Sequence, residues 1–211
     1  MKIAVILSRC GMMDGSEIHE SVCTLLNLDR QGVEYQCFAP DSKQAKVINH
    51  LTRQEDKSPR NILEEAARIA RGNIKSLQEF HTIDFDAVIF PGGSGAVANL
   101  TENGKVRPEI AQIITDCFES KMPIGAICIA PTLIARVLGH NGITVTIGND
   151  TKVAAAIEQT GARHQNCSAD NIIIDKQNLI VTTPAYMLAK SIKEIDTGIE
   201  KLVQAIIKLG R

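Results

Sequence analysis

Apolar residues fall along this chain in two rhythms. Unbroken runs such as Ile3-Ala4-Val5-Ile6-Leu7, Ala87-Val88-Ile89-Phe90 and Ile124-Gly125-Ala126-Ile127 fit strands buried on both faces. Residues 33–40 alternate apolar and polar and predict another strand, as does Ile143-Thr144-Val145-Thr146-Ile147. Ile172-Ile173-Ile174 and Leu179-Ile180-Val181-Thr182-Thr183 flank a short polar turn and predict a hairpin-like pair. Between these runs, apolar positions recur every three or four residues. That spacing predicts helices from Ser16, as N-cap, to near Gly32, over 61–72, from Pro108 to Ser120, from Pro131 to near Gly139, and over 151–159. A last helix carries Ile192, Ile195, Ile199, Leu202, Val203 and Ile206 on one face, a stripe suited to core packing. Residues 41–59 are a long polar connection, and 74–77 read as a loop. Strands alternating with helices predict an α/β, three-layer sandwich with a mostly parallel sheet, in one domain spanning 1–211.

Ligands of such folds bind beyond the carboxyl ends of the strands. Three features fall there: the loop from Ser8 to Gly15, the pair Gly92-Gly93, and Cys128. Cys128 follows a strand and precedes Pro131, which suits the first turn of a helix. A thiol in that turn sits near the positive end of the helix dipole, which favours the reactive thiolate, as in a nucleophile elbow. A cysteine that only fills a core fits the same stretch. The glycines after Phe90 let backbone N–H groups approach a ligand or an oxyanion closely. They do not form G-x-G-x-x-G, which argues against a dinucleotide site. Glu17 and Glu20, three apart, point from one side of the first turn of their helix.

Composition narrows the function classes. Lys plus Arg total 23 against 24 for Asp plus Glu, with no basic block and only 3% aromatic residues, which argues against nucleic-acid binding. No apolar run approaches the length needed to span a bilayer, and Ser8-Arg9 closes the first run too early for a signal peptide. A cytoplasmic protein with no membrane partner is the expectation. The six cysteines, at 10, 23, 37, 117, 128 and 167, contain no C-x-x-C pair, so free thiols are expected and neither a metal nor another cofactor is indicated.

The combination Val88-Ile89-Phe90-Pro91-Gly92-Gly93 with Ala126-Ile127-Cys128-Ile129-Ala130-Pro131-Thr132 resembles the ThiJ/PfpI superfamily. Its fold is flavodoxin-like, similar to class I glutamine amidotransferases. Asp14-Gly15-Ser16-Glu17-Ile18-His19-Glu20, Phe38-Ala39-Pro40, Val47-Ile48-Asn49-His50-Leu51-Thr52 and Val181-Thr182-Thr183-Pro184-Ala185-Tyr186-Met187 narrow the resemblance to the ElbB group, the enhancing lycopene biosynthesis proteins. The resemblance implies a reactive cysteine at Cys128, a partner carboxylate at Glu20 whose pKa is raised, and an oxyanion hole from the N–H groups of Gly93 and Ile129. Glu17, His19, Cys10 and His164 are candidates for supporting positions. The amidotransferase triad needs a histidine on the strand after the elbow helix, and residues 144–148 contain none. The resemblance therefore implies a glutathione-independent glyoxalase-type lyase, acting on a small aldehyde such as methylglyoxal, tied to isoprenoid biosynthesis and homodimeric. A redox-responsive binding protein and an amidotransferase-like hydrolase are the alternatives.

Overall fold

The computed structural model describes residues 1–210; Arg211, the last residue of the expected domain, lies outside them. In chain order the elements are β1 (Lys2–Ile6), α1 (Ile18–Arg30), β2 (Glu34–Ala39), α2 (Ile62–Ala66), β3 (Ile74–Ser76), β4 (Ala87–Phe90), α3 (Ser94–Ala98), β5 (Thr101–Glu102) and β6 (Lys105–Val106). They continue with α4 (Pro108–Glu119), β7 (Ile124–Ile127), α5 (Pro131–Leu138), β8 (Thr144–Val145), α6 (Thr151–Glu158), β9 (Arg163–His164), β10 (Ile173–Asp175), β11 (Ile180–Thr183) and α7 (Ile192–Leu209). A seven-stranded sheet runs in the order β10-β11-β7-β4-β1-β2-β3, parallel throughout except for the β10–β11 pair.

Alternation along the strands creates two cores. Ala4 and Ile6 of β1 face one way with Val88, Phe90, Ile124 and Ala126, against Ile110 and Ile114 of α4 and Leu133 and Ile134 of α5. Ile3, Val5, Ala87, Ile89 and Ile127 face the other way, against α1 and the fully buried Ile195, Ile199 and Leu202 of α7. Helices on both sides of a parallel sheet make three layers, as the run-and-stripe pattern predicts.

Four local expectations give way. Ser16 does not cap α1: its hydroxyl is buried against Ser8, accepting from Ser8 N at 2.8 Å, and the cap is Glu17, whose carboxylate accepts from Glu20 N at 2.7 Å. The helix expected over 61–72 ends at Ala66 and continues as turns closing at Gly72. The segment read as a loop at 74–77 contains β3, an edge strand bonded to β2 on one side only and so short of apolar signal. The strand expected over 143–147 shrinks to β8, which pairs with β9 outside the main sheet.

The carboxyl edge of the sheet is tied together by the loop after β1. Arg9, at φ 97°, and Asp14 form an ion pair that is almost fully buried. The Asp14 carboxylate also accepts from Ile48 N, and Asn99 Nδ2 donates to the carbonyls of Ser8 at 2.9 Å and Asp14 at 2.8 Å. This stitching holds the loop against the glycine turn after β4.

Candidate functional site

β7 ends at Ile127, and the next residue, Cys128, has φ 61°, a left-handed backbone rare outside glycine. Strain of this kind persists only where the surroundings over-determine it. Here Cys128 N donates to Thr183 O at 2.9 Å, and Ala130 N to Ile127 O at 3.0 Å, fixing the turn before Pro131 opens α5. The side chain stays buried at the edge of the core on the α1 and α7 side of the sheet, with its Cβ against Gly92. Only 7% of Cys128 is exposed, and it is part of the wall of a cavity.

The turn after β4 meets it. The backbone N–H groups of Gly93 and Ile129 lie beside the Cys128 sulfur, where they favour its thiolate. Gly93 has φ 101°, and a Cβ there would lie 2.3 Å from Gly15 O and 2.4 Å from Glu17 N. Gly92 is equally constrained: a Cβ would lie 2.4 Å from Cys128 Cβ and 2.6 Å from Glu20 Oε2. Its missing side chain is the space in which the thiol and the carboxyl group meet.

Glu20 comes from the first turn of α1 and is fully buried. Oε2 accepts from Gly92 N at 3.1 Å and Oε1 from Tyr186 N at 3.2 Å, and the carboxyl group meets the Cys128 side chain over Gly92. Burial, then the neighbouring charge of Glu17, pushes its pKa up to about 8, against the two N–H groups and the thiol, which favour the carboxylate. The Cys128 thiol is also pushed well up, by burial first and the Glu20 charge second, against the N–H groups of Gly93 and Ile129. This corrects the expectation drawn from the helix dipole: burial beside an acid outweighs one helix terminus. Two groups in contact, each holding its proton more tightly than usual, titrate as a pair.

The remaining candidates separate. Glu17 and His19 line the same cavity as Cys128, and His19 Nδ1 is 2.8 Å from the Tyr186 hydroxyl. Cys10 instead has Glu65, Arg68, Arg9 and Asp14 as its charged neighbours, and does not line the cavity. His164, on β9, accepts from Ile147 N through Nε2 at 3.3 Å and does not line it either. His19 is thus the one histidine in the cavity wall among the described residues. Gly92 belongs to the site, as its place at a strand end predicts; Thr183 and Tyr186 belong to it too and were missed as such. Thr183-Pro184-Ala185-Tyr186 follows another strand carboxyl end, so the rule that singled out Cys128 would have found them. No group of three or more His, Cys, Asp or Glu side chains among the described residues is placed to hold a metal ion.

The cavity encloses about 1110 Å³. Ser94, Val97 and Ala98 of α3 form one wall, and Val153, Ala156 and Ile157 of α6 another. Met12 and Met13 contribute from the loop after β1, and Thr132 and Arg136, one turn apart on α5, extend the wall away from Cys128.

Known proteins resemble this chain in sequence and fold. A mitochondrial ES1 protein homolog of Rattus norvegicus is 38% identical over 99% of this chain and 84% of its own length. The human glutamine amidotransferase-like class 1 domain-containing protein 3, also named as mitochondrial, is 38% identical over 99% of this chain and 83% of its own. The crystal structure of an isoprenoid biosynthesis protein with an amidotransferase-like domain from Ehrlichia chaffeensis superposes with a TM-score of 0.96 at 34% identity, covering both chains completely. DJ-1beta of Drosophila melanogaster shares the fold, with a TM-score of 0.54 at 18% identity over 98% of this chain and 95% of its own. The DJ-1/PfpI family matches residues 2–188, from the first strand through the Tyr186 turn that closes over Glu20, and the chain belongs to that family.

Proposed function

We propose that the protein is a cysteine-dependent, glutathione-independent glyoxalase-type lyase of the ElbB group, converting a 2-oxoaldehyde to a hydroxy acid. The observation that carries this reading is the buried contact between the Cys128 thiol and the Glu20 carboxyl group, with two backbone N–H groups at the sulfur. A carboxyl pKa of about 8 suits a group that must both take and return a proton near neutral pH.

In this scheme the thiol adds to the aldehyde carbon, and its proton passes through Glu20 to the carbonyl oxygen, giving a hemithioacetal. Gly93 and Ile129 N–H stabilise the oxyanion as it forms. The carbon is then bonded to the atom that Glu20 already touches. Glu20 removes its proton and returns it to the adjacent carbon through an enediol, which leaves a thioester. Water cleaves the thioester to the hydroxy acid and regenerates the thiol.

The amidotransferase alternative lacks support, because residues 144–148 supply no histidine and His19 is engaged with Tyr186. The description of the Ehrlichia neighbour suggests isoprenoid biosynthesis as the metabolic setting.

The test is lactate formation from methylglyoxal. Cys128→Ala should reduce it to background and Glu20→Gln by about 10²–10⁴-fold, the usual range for loss of a general acid–base group. Full turnover by either variant would overturn the reading.

A further inference from the structure

The cavity is much larger than a three-carbon aldehyde needs. At about 1110 Å³ it reaches the top of the ~300–1,000 Å³ range of pockets that enclose drug-sized ligands. Its walls are mostly apolar and include Val97 and Ala98 of α3 and Val153, Ala156 and Ile157 of α6. Two cations also line it, Arg136 of α5 and Lys152 at the start of α6. Arg136 lies on the same face as Thr132, and some five residues beyond Pro131, so about 7 Å further along the helix from the Cys128 turn.

Neither cation is committed elsewhere. Among the described residues neither side chain makes an ion pair or a hydrogen bond. The carboxylate in the cavity wall, Glu17, is occupied in capping α1. Asp150, beside Lys152, likewise spends its carboxylate on the N–H groups of Lys152 and Val153, at 2.9 and 3.0 Å. A largely apolar cavity lined both by a nucleophile and by two uncommitted cations complements a molecule with a reactive head, an apolar body and an anionic tail.

We infer that the cavity takes ligands with an apolar body of several carbons ending in a carboxylate or a phosphate, held by Arg136 and Lys152. The inference names the substrate class of the glyoxalase reading and rests on that reading only for the aldehyde head at Cys128. Methylglyoxal then occupies only a fraction of the site while still presenting its aldehyde to Cys128.

Binding of octanoate, octyl phosphate and octanol to the full chain, measured by calorimetry, tests this without turnover. Exposed charge pairs are individually weak, so an anion preference of about three- to tenfold over octanol is expected for the pair of cations. The Arg136→Gln/Lys152→Gln variant should lose that preference, and Arg136→Lys/Lys152→Arg should keep it. Preference for only one of the two anions identifies the tail. Equal binding of all three ligands, or a preference that survives Arg136→Gln/Lys152→Gln, would overturn the inference. Methylglyoxal turnover by the same wild-type preparation judges the reaction separately. Turnover without anion preference removes the anion site alone, and anion preference without turnover supports the site while removing the glyoxalase reading.

Discussion

Asp14 in the loop after β1 and Glu20 in α1 are both almost wholly buried at one edge of the sheet, and the fold treats them in opposite ways. Asp14 is matched by a buried guanidinium, that of Arg9. Glu20 has no ion pair among the described residues; it is held by two backbone N–H groups and a thiol, with another acid, Glu17, nearby. A carboxylate facing a cation is an anchor. A carboxyl group facing neutral donors and a like charge keeps a proton it can lend. Burial is common to both, so the neighbours decide which becomes scaffold and which becomes chemistry.

The largest expected effect breaks the anchor. Asp14→Ala leaves Arg9 buried without a counter-charge and should lower stability by about 3–5 kcal/mol in chemical denaturation. Glu20→Gln strands no charge and disturbs one hydrogen bond, so about 1 kcal/mol is expected near neutral pH. Equal losses in the two variants would erase the contrast.

A second, smaller effect separates the two by pH. Glu20 binds its proton more tightly in the folded chain, near 8, than the ordinary 4.5 of an unfolded one. Its contribution to stability is therefore full below about pH 4.5 and is lost as pH rises through about 8. Wild-type stability should fall by a few kcal/mol across that window, and in Glu20→Gln this part of the decline should be absent. Matching pH profiles of the denaturation midpoint would mean that Glu20 does not carry the proton.

Much of this was legible before any coordinates. Unbroken apolar runs and helical stripes are direct images of a sheet covered on both faces, and Cys128 and Gly93 stand out because they follow such runs. What escaped depended on contacts between distant segments. Ser16 looks like a cap, yet its hydroxyl is drawn to Ser8 across the loop, so Glu17 caps instead. Gly92 reads as one glycine of a turn; that its missing Cβ makes room for Cys128 and Glu20 follows only when β4, β7 and α1 converge. The direction of the thiol pKa escaped for the same reason, since the dipole of α5 is local and the Glu20 charge is not. Val153, Ala156 and Ile157 look like an ordinary core stripe, and only packing shows that this face of α6 walls a cavity.

The pairing of Cys128 with Glu20 is tested most directly by the rate of Cys128 alkylation with iodoacetamide, followed across pH in the wild type and in Glu20→Gln. With Glu20 ionised, its charge opposes the thiolate, so the wild-type rate should climb only well into the alkaline range. Removing that charge should shift the profile to lower pH, which makes alkylation in mildly alkaline buffer faster in the variant that turns over least. Superimposable profiles would contradict the pairing.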